Sequence, residues 1–252
     1  MPMPVVLSVL AHPDDAEFLC AGTLIRLASL GWTVHLATMT PGDCGSAELE
    51  PEAIAAIRRA EGAAAAAVIG ATYHCVEERD LRVAYTESAL EKVVRLLRTT
   101  RADLILTHSP ADYHLDHEMC STLTRAAAFA AAVPNFQDRS GRLAPLEHVP
   151  HLYYCDPLEG VDALGREVPP TFRIDISGVI DQKATMLAAH ASQREWLLRH
   201  HGVDHYIVAM REWSQRRGAE AGVDFAEGFR QHLGHSYPRN NWLAELLGTC
   251  GR

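Results

Sequence analysis

The sequence predicts an α/β fold, a Rossmann-like three-layer sandwich with a mostly parallel sheet and a helical C-terminal portion. Through the first half of the chain, short apolar runs alternate with longer helical stretches. Such alternation implies right-handed βαβ units around a buried parallel sheet. The chain has 252 residues, 48% of them hydrophobic, which is enough for one domain over 1–252 with a large core.

Four pairs of a strand and a helix make up the first half. The strands are short apolar runs, predicted at 5–10, 33–39, 72–76 and 103–108. The helices that follow them are predicted at 18–29, 51–69, 87–99 and 117–132. Gly31 and Gly70 end the first two helices, as glycine often does. We therefore expect residues 1–133 to form the βα core.

The second half has a different character. Six prolines make residues 134–170 rich in loops, and two short strands are predicted at 151–155 and 171–176. Helices are predicted at about 178–200, 204–217 and 224–232. We find no internal repeat and no low-complexity linker, so residues 134–252 are expected to extend the same domain.

Charge and composition narrow the class of partner. The net charge is −9, which gives no electrostatic basis for binding a nucleic acid or an anionic membrane surface. No stretch approaches the ~20 apolar residues of a membrane span, and Met1–Leu10 contains neither Lys nor Arg. The six cysteines form no C-x-x-C pair and are expected to be reduced, mostly buried thiols in a cytoplasmic protein. Aromatic residues in the C-terminal half suggest self-association without giving a subunit count.

Two loops concentrate histidine and aspartate. "HPDDAE" follows the first strand, and "HSPADYHLDH" follows the fourth. In a parallel sheet with strand order 3-2-1-4, the carboxyl ends of these strands lie side by side, and ligands bind there. The first loop lacks the glycines of a dinucleotide site, and its paired carboxylates would repel a pyrophosphate. We expect the two loops to meet and to bind something other than a nucleotide.

These residue types suit a divalent ion. A catalytic zinc has three protein ligands and one open position, and His12, Asp15 and His117 supply two imidazoles and a carboxylate. The ion would offset the repulsion between Asp14 and Asp15, leaving Asp14 to act as a general base on an activated water. The two aspartates could instead cap the next helix. Capping, however, needs one Asp and accounts for neither His12 nor the second loop.

The two loops resemble the PIG-L/LmbE-like zinc-dependent N-deacetylases. The family motif A-H-P-D-D matches residues 11–15, and the family motif H-x-x-H matches residues 114–117, with Leu115 where proline is common. Further segments are similar to family features: "TPGDCG" (40–45), "RRAEGAAAAAVIGA" (58–71), "HASQ" (190–193) and "AEGF" (226–229). The resemblance covers most of the first 130 residues.

The resemblance implies a role for each motif residue. It implies zinc, with iron(II) as the alternative, on His12, Asp15 and His117, and Asp14 as the general base. It implies that His114 stabilises an oxyanion or acts as an acid, supported by Asp116. The implied activity is removal of an N-acetyl group from a small molecule of the N-acetylglucosamine type. A metal-dependent amidase for another acyl or thiol-conjugate substrate, and an inactive metal- or sugar-binding module, are the alternatives.

Four further residues are candidates for substrate contact. Arg58 lies on the helix after the glycine loop, where the family often places a sugar-contacting arginine; a surface charge is the alternative. Asp80 could bind a hydroxyl group, and His190 with Gln193 could touch substrate. Other candidates are expected to be structural or solvent-exposed: His108 at a strand end, the group His200, His201 and His205, and the tryptophans Trp196, Trp213 and Trp242.

Overall fold

The computed structural model describes residues 3–136, 143–193 and 205–251. Within these residues seven strands form one sheet: β1 Val5–Leu10, β2 Thr33–Thr38, β3 Thr72–Cys75, β4 Leu104–Thr107, β5 His151–Cys155, β6 Phe172–Asp175 and β7 Ala226–Gln231. The strand order is β3-β2-β1-β4-β5-β7-β6. The first five strands in that order are parallel, and β7 is antiparallel to both of its neighbours. The predicted order 3-2-1-4 is confirmed.

Helices cover both faces of the sheet. Their bounds are α1 Asp15–Leu19, α2 Ala21–Ser29, α3 Pro51–Ala67, α4 Glu87–Thr100, α5 Leu115–Ala130, α6 Ile180–Ala188, α7 His205–Ala219 and α8 Trp242–Leu247. Alternate residues of β1 belong to two separate apolar clusters, Val6 and Leu10 to one and Leu7 and Val9 to the other. The first cluster includes residues of α2 and α6, and the second includes residues of α4 and α5. The fold is the expected α/β sandwich.

Three predicted helices, at 18–29, 178–200 and 224–232, differ from the structure in their type or extent. The helix predicted over 18–29 is two helices, because the backbone at Cys20 leaves the helical region at φ −144°. The helix predicted over 224–232 is wrong: Ala226–Gln231 is strand β7. Its helix-favouring Ala, Glu, Arg and Gln are overridden by backbone pairing with β5 on one side and β6 on the other.

Strand β7 connects the C-terminal half to the start of α2. The two carboxylate oxygens of Glu227 accept hydrogen bonds from the backbone N–H groups of Gly22 and Thr23, each at 2.8 Å. The same carboxylate forms a buried ion pair with Lys183 at 2.7 Å. A buried charge is stable only when it is paired and hydrogen-bonded, and Glu227 satisfies both conditions.

The structure describes part of the C-terminal helical segment. The helix expected at 204–217 is α7. The one expected at 178–200 is interrupted, because α6 ends at Ala188 and helical structure resumes only at 191–193. Residues 194–204 lie outside the described residues, as do Trp196, His200, His201 and the side chain of His205. Trp242 packs against Trp32 with ring centroids 4.8 Å apart, as a core residue does. In the described part of the chain, no helix combines the length and apolar character needed to cross a membrane.

Candidate metal centre and active site

The loops after β1 and β4 meet at the carboxyl edge of the sheet. Strands β1 and β4 are adjacent, with Val9 opposite Thr107. One possible ligand atom each from His12, Asp15 and His117 lies within 4.8 Å of the others. Nε2 of His117 is 3.6 Å from a carboxylate oxygen of Asp15, and the rings of His12 and His117 are 5.4 Å apart. The structure therefore brings together the three residues predicted as ligands.

The His117 ring is oriented for metal binding by the neighbouring loop. Its Nδ1 is 3.0 Å from a carboxylate oxygen of Asp112, so in the neutral ring this nitrogen carries the proton and the lone pair of Nε2 faces Asp15. A carboxylate on the far nitrogen is the usual arrangement around metal-binding histidines. His108 stacks on the same ring, with centroids 3.8 Å apart, and burial lowers the pKa of His108 to about 4. The residues present therefore fit a divalent ion.

His12 lies between two carboxylates. Its Nε2 is 3.2 Å from Asp116, its Nδ1 is 3.4 Å from Asp15, and its backbone N–H donates to Asp15 at 2.7 Å. Burial lowers the pKa of His12, but hydrogen bonds to Asp116 and Asp15 outweigh burial and raise it to about 10. A proton and a metal ion therefore compete for this ring.

We expect the affinity for Zn²⁺ to rise with pH. The pKa of His12 is about 10, so at lower pH the ring carries a proton that ion binding must release. Each released proton makes the association constant rise about tenfold per pH unit. Competition with a chromophoric chelator at pH 6.5, 7.5 and 8.5 measures this slope. Calorimetry in two buffers of different ionisation enthalpy counts the protons, and a constant affinity over this range would contradict the expectation.

Asp14 has an unusual backbone conformation beside these residues. Its φ is 107°, in the region that non-glycine residues rarely adopt, and it precedes α1 without a capping hydrogen bond from its side chain. Its carboxylate instead lies 3.2 Å from Nη2 of Arg58, which also donates to the carbonyl of Pro13 at 2.7 Å. Burial raises the pKa of Asp14, and the Arg58 guanidinium opposes that shift. The capping alternative therefore does not describe the Asp14 side chain.

His114 caps α5 through its own ring. Nδ1 accepts a hydrogen bond from the backbone N–H of Asp116 at 3.2 Å, so a neutral ring carries its proton on Nε2. Burial and the charges of His117 and His12 lower the pKa of His114, which keeps the ring neutral near pH 7. The Asp116 carboxylate contacts His12 and the Leu81 backbone N–H rather than the His114 ring. His114 is thus a neutral donor at the edge of the candidate metal centre.

Three other groups of possible ligands occur in the described ranges. Two of them share residues with the first set: His12, His114 and Asp116, and His108, Asp112 and His117. The third group is Asp43, Cys44 and Asp80. Here the carboxylates already bind Arg79, Thr40 and two backbone N–H groups. The first set, which leaves Nε2 of His117 free, is the best candidate.

A cavity of about 870 Å³ opens over this centre. One face of α7 forms a wall, since Tyr206, Ala209, Trp213 and Arg216 recur at the spacing of a single helix face. Its remaining lining residues include motif residues, apolar side chains and parts of the glycine loop. The cavity is large enough for a small molecule such as an amino sugar.

Comparison with known proteins places the chain in a family. Residues 7–128 match the family described as PIG-L, GlcNAc-PI de-N-acetylase. Residues 7–128 belong to the PIG-L family. It is 28% identical over 237 residues to a 1D-myo-inositol 2-acetamido-2-deoxy-alpha-D-glucopyranoside deacetylase of Rhodococcus erythropolis, covering 75% of this chain and 80% of that protein.

Other relatives of this chain differ in the activities for which they are named. A 4-oxalmesaconate hydratase of Pseudomonas putida is 24% identical over 200 residues, covering 76% of this chain and 75% of the hydratase. The structure of the N,N'-diacetylchitobiose deacetylase of Pyrococcus horikoshii superposes with a TM-score of 0.78 at 24% identity, covering 94% of this chain and 88% of that one. The superposition shows that the two chains share their fold.

The four predicted substrate contacts differ in their surroundings. Arg58, Asp80 and Gln193 line the cavity of the PIG-L chain, whereas His190 is not among the described lining residues. His190 is completely buried, with Nε2 3.4 Å from Glu17. Both carboxylate oxygens of Asp80 accept hydrogen bonds, one from Thr40 and one from the backbone of Cys44. Gln193 donates to the carbonyl of Gly45 at 3.0 Å.

The glycine loop is shaped around Arg58. The φ of Gly42 is +77°, and a Cβ there would lie 2.5 Å from the guanidinium; a Cβ at Gly45 would be equally close. Any side chain at these positions would displace Arg58 from Asp14. Arg58 is 4% exposed, so a surface charge is excluded.

Sequence reasoning missed several residues around the centre. Asp112 orients His117, Tyr113 packs edge-on against its ring at 5.4 Å, and Tyr206 lies close enough to Asp14 for that charge to add to burial in raising the pKa of Tyr206. Asp112 and Tyr113 stand beside the second motif and could have been noted there. Tyr206 has no such signal, because only the fold brings α7 to the first loop.

Three of the six described non-glycine residues with positive φ line the cavity. Asp14, Leu81 and Glu159 are non-glycine residues with positive φ, and all three line it. Each such residue costs roughly 1–3 kcal/mol and persists where the surroundings hold it in place. Residues of this kind cluster at functional sites, which supports the assignment of this cavity.

Proposed function

We propose that this protein is a metal-dependent N-deacetylase that releases acetate from a small amine of the N-acetylglucosamine type. The observation that carries the proposal is the position of Asp14 beside three grouped ligand residues, His12, Asp15 and His117, on the floor of one cavity. The deacetylase of R. erythropolis named above supports the substrate class. Zn²⁺ is the proposed ion, with Fe²⁺ as the alternative. A cytoplasmic location and self-association stay predictions from the sequence.

The proposed chemistry divides between the ion and the chain. When bound to His12, Asp15 and His117, a divalent ion lowers the pKa of water and polarises an amide carbonyl. Asp14 accepts a proton from the attacking water. The water oxygen forms a bond to the acetyl carbon, the C–N bond breaks, and Asp14 returns the proton to the leaving nitrogen. Acetate and a free amine result, and Arg58 holds the Asp14 carboxylate throughout.

The neutral His114 ring is suited to donate to the oxygen that becomes negative during the reaction. Its proton is on Nε2, because Nδ1 accepts from the Asp116 backbone. A donor to such an oxygen contributes about 10²–10³-fold to turnover. Asp116 would act differently from the role that the resemblance implies, since its carboxylate contacts His12.

Replacing His114 by asparagine is expected to retain bound metal and to lower kcat by about 10²–10³-fold. Asparagine still caps α5, because its oxygen accepts from the Asp116 backbone, but it is too short to replace the Nε2–H donor. Metal content by mass spectrometry and kcat by amine release measure the two effects. Loss of the metal would instead favour the ligand set of His12, His114 and Asp116.

Hydration of a carbon–carbon double bond is the second candidate, because the P. putida relative is named a hydratase. Both reactions activate water, but only deacetylation generates a primary amine and acetate. Purified protein of known metal content is incubated with a panel of N-acetylated sugars and with unsaturated dicarboxylates. Fluorescamine detects the amine, and loss of ultraviolet absorbance detects hydration of a conjugated acid. Turnover of an unsaturated acid without any release of amine from the N-acetylated sugars would overturn the proposed function. Release of larger acids in preference to acetate would indicate an amidase for another acyl group.

A further inference from the structure

Two large apolar side chains are exposed at the cavity. Leu81 is 68% exposed and Tyr113 is 50% exposed, and both line the cavity over the metal centre. Both residues contact the second motif, residues 114–117. Tyr113 packs edge-on against His114 and His117, and the backbone N–H of Leu81 donates to Asp116 at 2.7 Å. We call these two side chains the apolar lip.

The side chain of Leu81 is not explained by its backbone. Its φ is +62°, a conformation that glycine adopts freely and asparagine tolerates, but that is unusual for a leucine. The backbone hydrogen bond to Asp116 would form equally well with glycine or asparagine at this position. A leucine here combines an unfavourable backbone with exposed apolar surface. The side chain is therefore explained best by a contact that forms when a ligand is bound.

We infer that the apolar lip determines specificity, and that the natural substrate carries an apolar or aromatic group attached to its N-acetylated sugar. The acetamide reaches Asp14 and the metal ligands, and the attached group packs on Leu81 and Tyr113. Burial of the attached group against these side chains is favourable because both are water-exposed without a ligand. This inference rests on the proposed deacetylase function. It adds a preference for substituted glycosides over free sugars.

The test compares phenyl and methyl β-glycosides of N-acetylglucosamine. Binding is measured by calorimetry in an Asp14→Asn background, so that turnover does not interfere, and kcat/KM is measured by amine release in the protein with Asp14 intact. We expect the phenyl glycoside to bind about tenfold more tightly than the methyl glycoside, a typical gain for a small apolar contact. Leu81→Asn should remove most of that preference, mainly through Kd and KM.

Matched variants keep the result interpretable. Leu81→Asn and Leu81→Gly suit a positive φ, so neither should lower the thermal midpoint, and a folding defect is not expected. Leu164, 75% exposed and not among the described lining residues, provides the control, because Leu164→Asn should leave the preference intact. If the intact protein binds both glycosides equally, or Leu81→Asn retains the preference, the apolar lip is refuted. If neither compound releases amine while the binding preference holds, the deacetylase proposal fails and the lip stands.

Discussion

Replacing Asp14 by asparagine should leave metal binding intact and lower kcat by about 10²–10⁴-fold, the usual contribution of a general base. The amide cannot accept the proton of water, but it has the size of the carboxylate. Its oxygen can still accept from Arg58, which lies 3.2 Å from Asp14. Asparagine also tolerates the positive φ of 107° at this position, so the variant should fold normally.

Two measurements make the Asp14 experiment decisive. Metal content per chain by mass spectrometry should equal that of the unmodified protein, and single-turnover kinetics should show a slow chemical step. Asp14→Ala is a less specific companion, because it also removes the partner of Arg58 and so disturbs the glycine loop. If Asp14→Asn turned over at nearly the normal rate, another group would have to be the base.

Replacing His117 by alanine should abolish metal binding at micromolar concentrations and reduce turnover to background. The variant loses the imidazole that Asp112 orients towards Asp15. The loss in metal affinity should exceed the roughly 10–100-fold that follows from removing only a hydrogen-bonding partner of a ligand. Metal titration with a chelator competitor and the amine-release assay measure the two effects.

The contrast between Asp112 and His117 tests the geometry further. Asp112→Asn keeps a group near Nδ1 of His117 but removes its charge, so it should weaken metal binding by about 10–100-fold. His235→Ala removes an exposed histidine elsewhere and should change neither property. If His117→Ala retained a full complement of metal, the ion would have to be held by a different group.

Hydrophobic patterning predicted the first half of the fold well. The strands β1 to β4 fall within two residues of their expected bounds. The central strands β1 and β4 are apolar runs that are buried almost throughout, whereas the edge strand β3 is only half-buried. The segment Ala226–Gln231 could not be predicted in this way. It has helix-forming residues, and its strand conformation comes from β5 and β6, which are distant in sequence.

The candidate site also contains residues that the sequence predicts and residues that only the fold brings together. His12, Asp14, Asp15 and His117 were predictable because each motif is continuous in sequence, and a parallel sheet fixes which loops are neighbours. The role of Asp116 was not predictable, since its contact with His12 crosses from one motif to the other. The positive φ of Leu81 was also hidden, because a leucine gives no local signal for that conformation.

The bond network of Glu227 limits how this site could be moved into another scaffold. The start of α2, which follows the first motif loop and the short helix α1, is completed by a carboxylate more than two hundred positions away. A graft that carried the first motif loop together with α2 but left out β7 would leave the backbone N–H groups of Gly22 and Thr23 without their acceptor. Protein engineers who transplant the catalytic loops would therefore need to transfer the C-terminal strand as well.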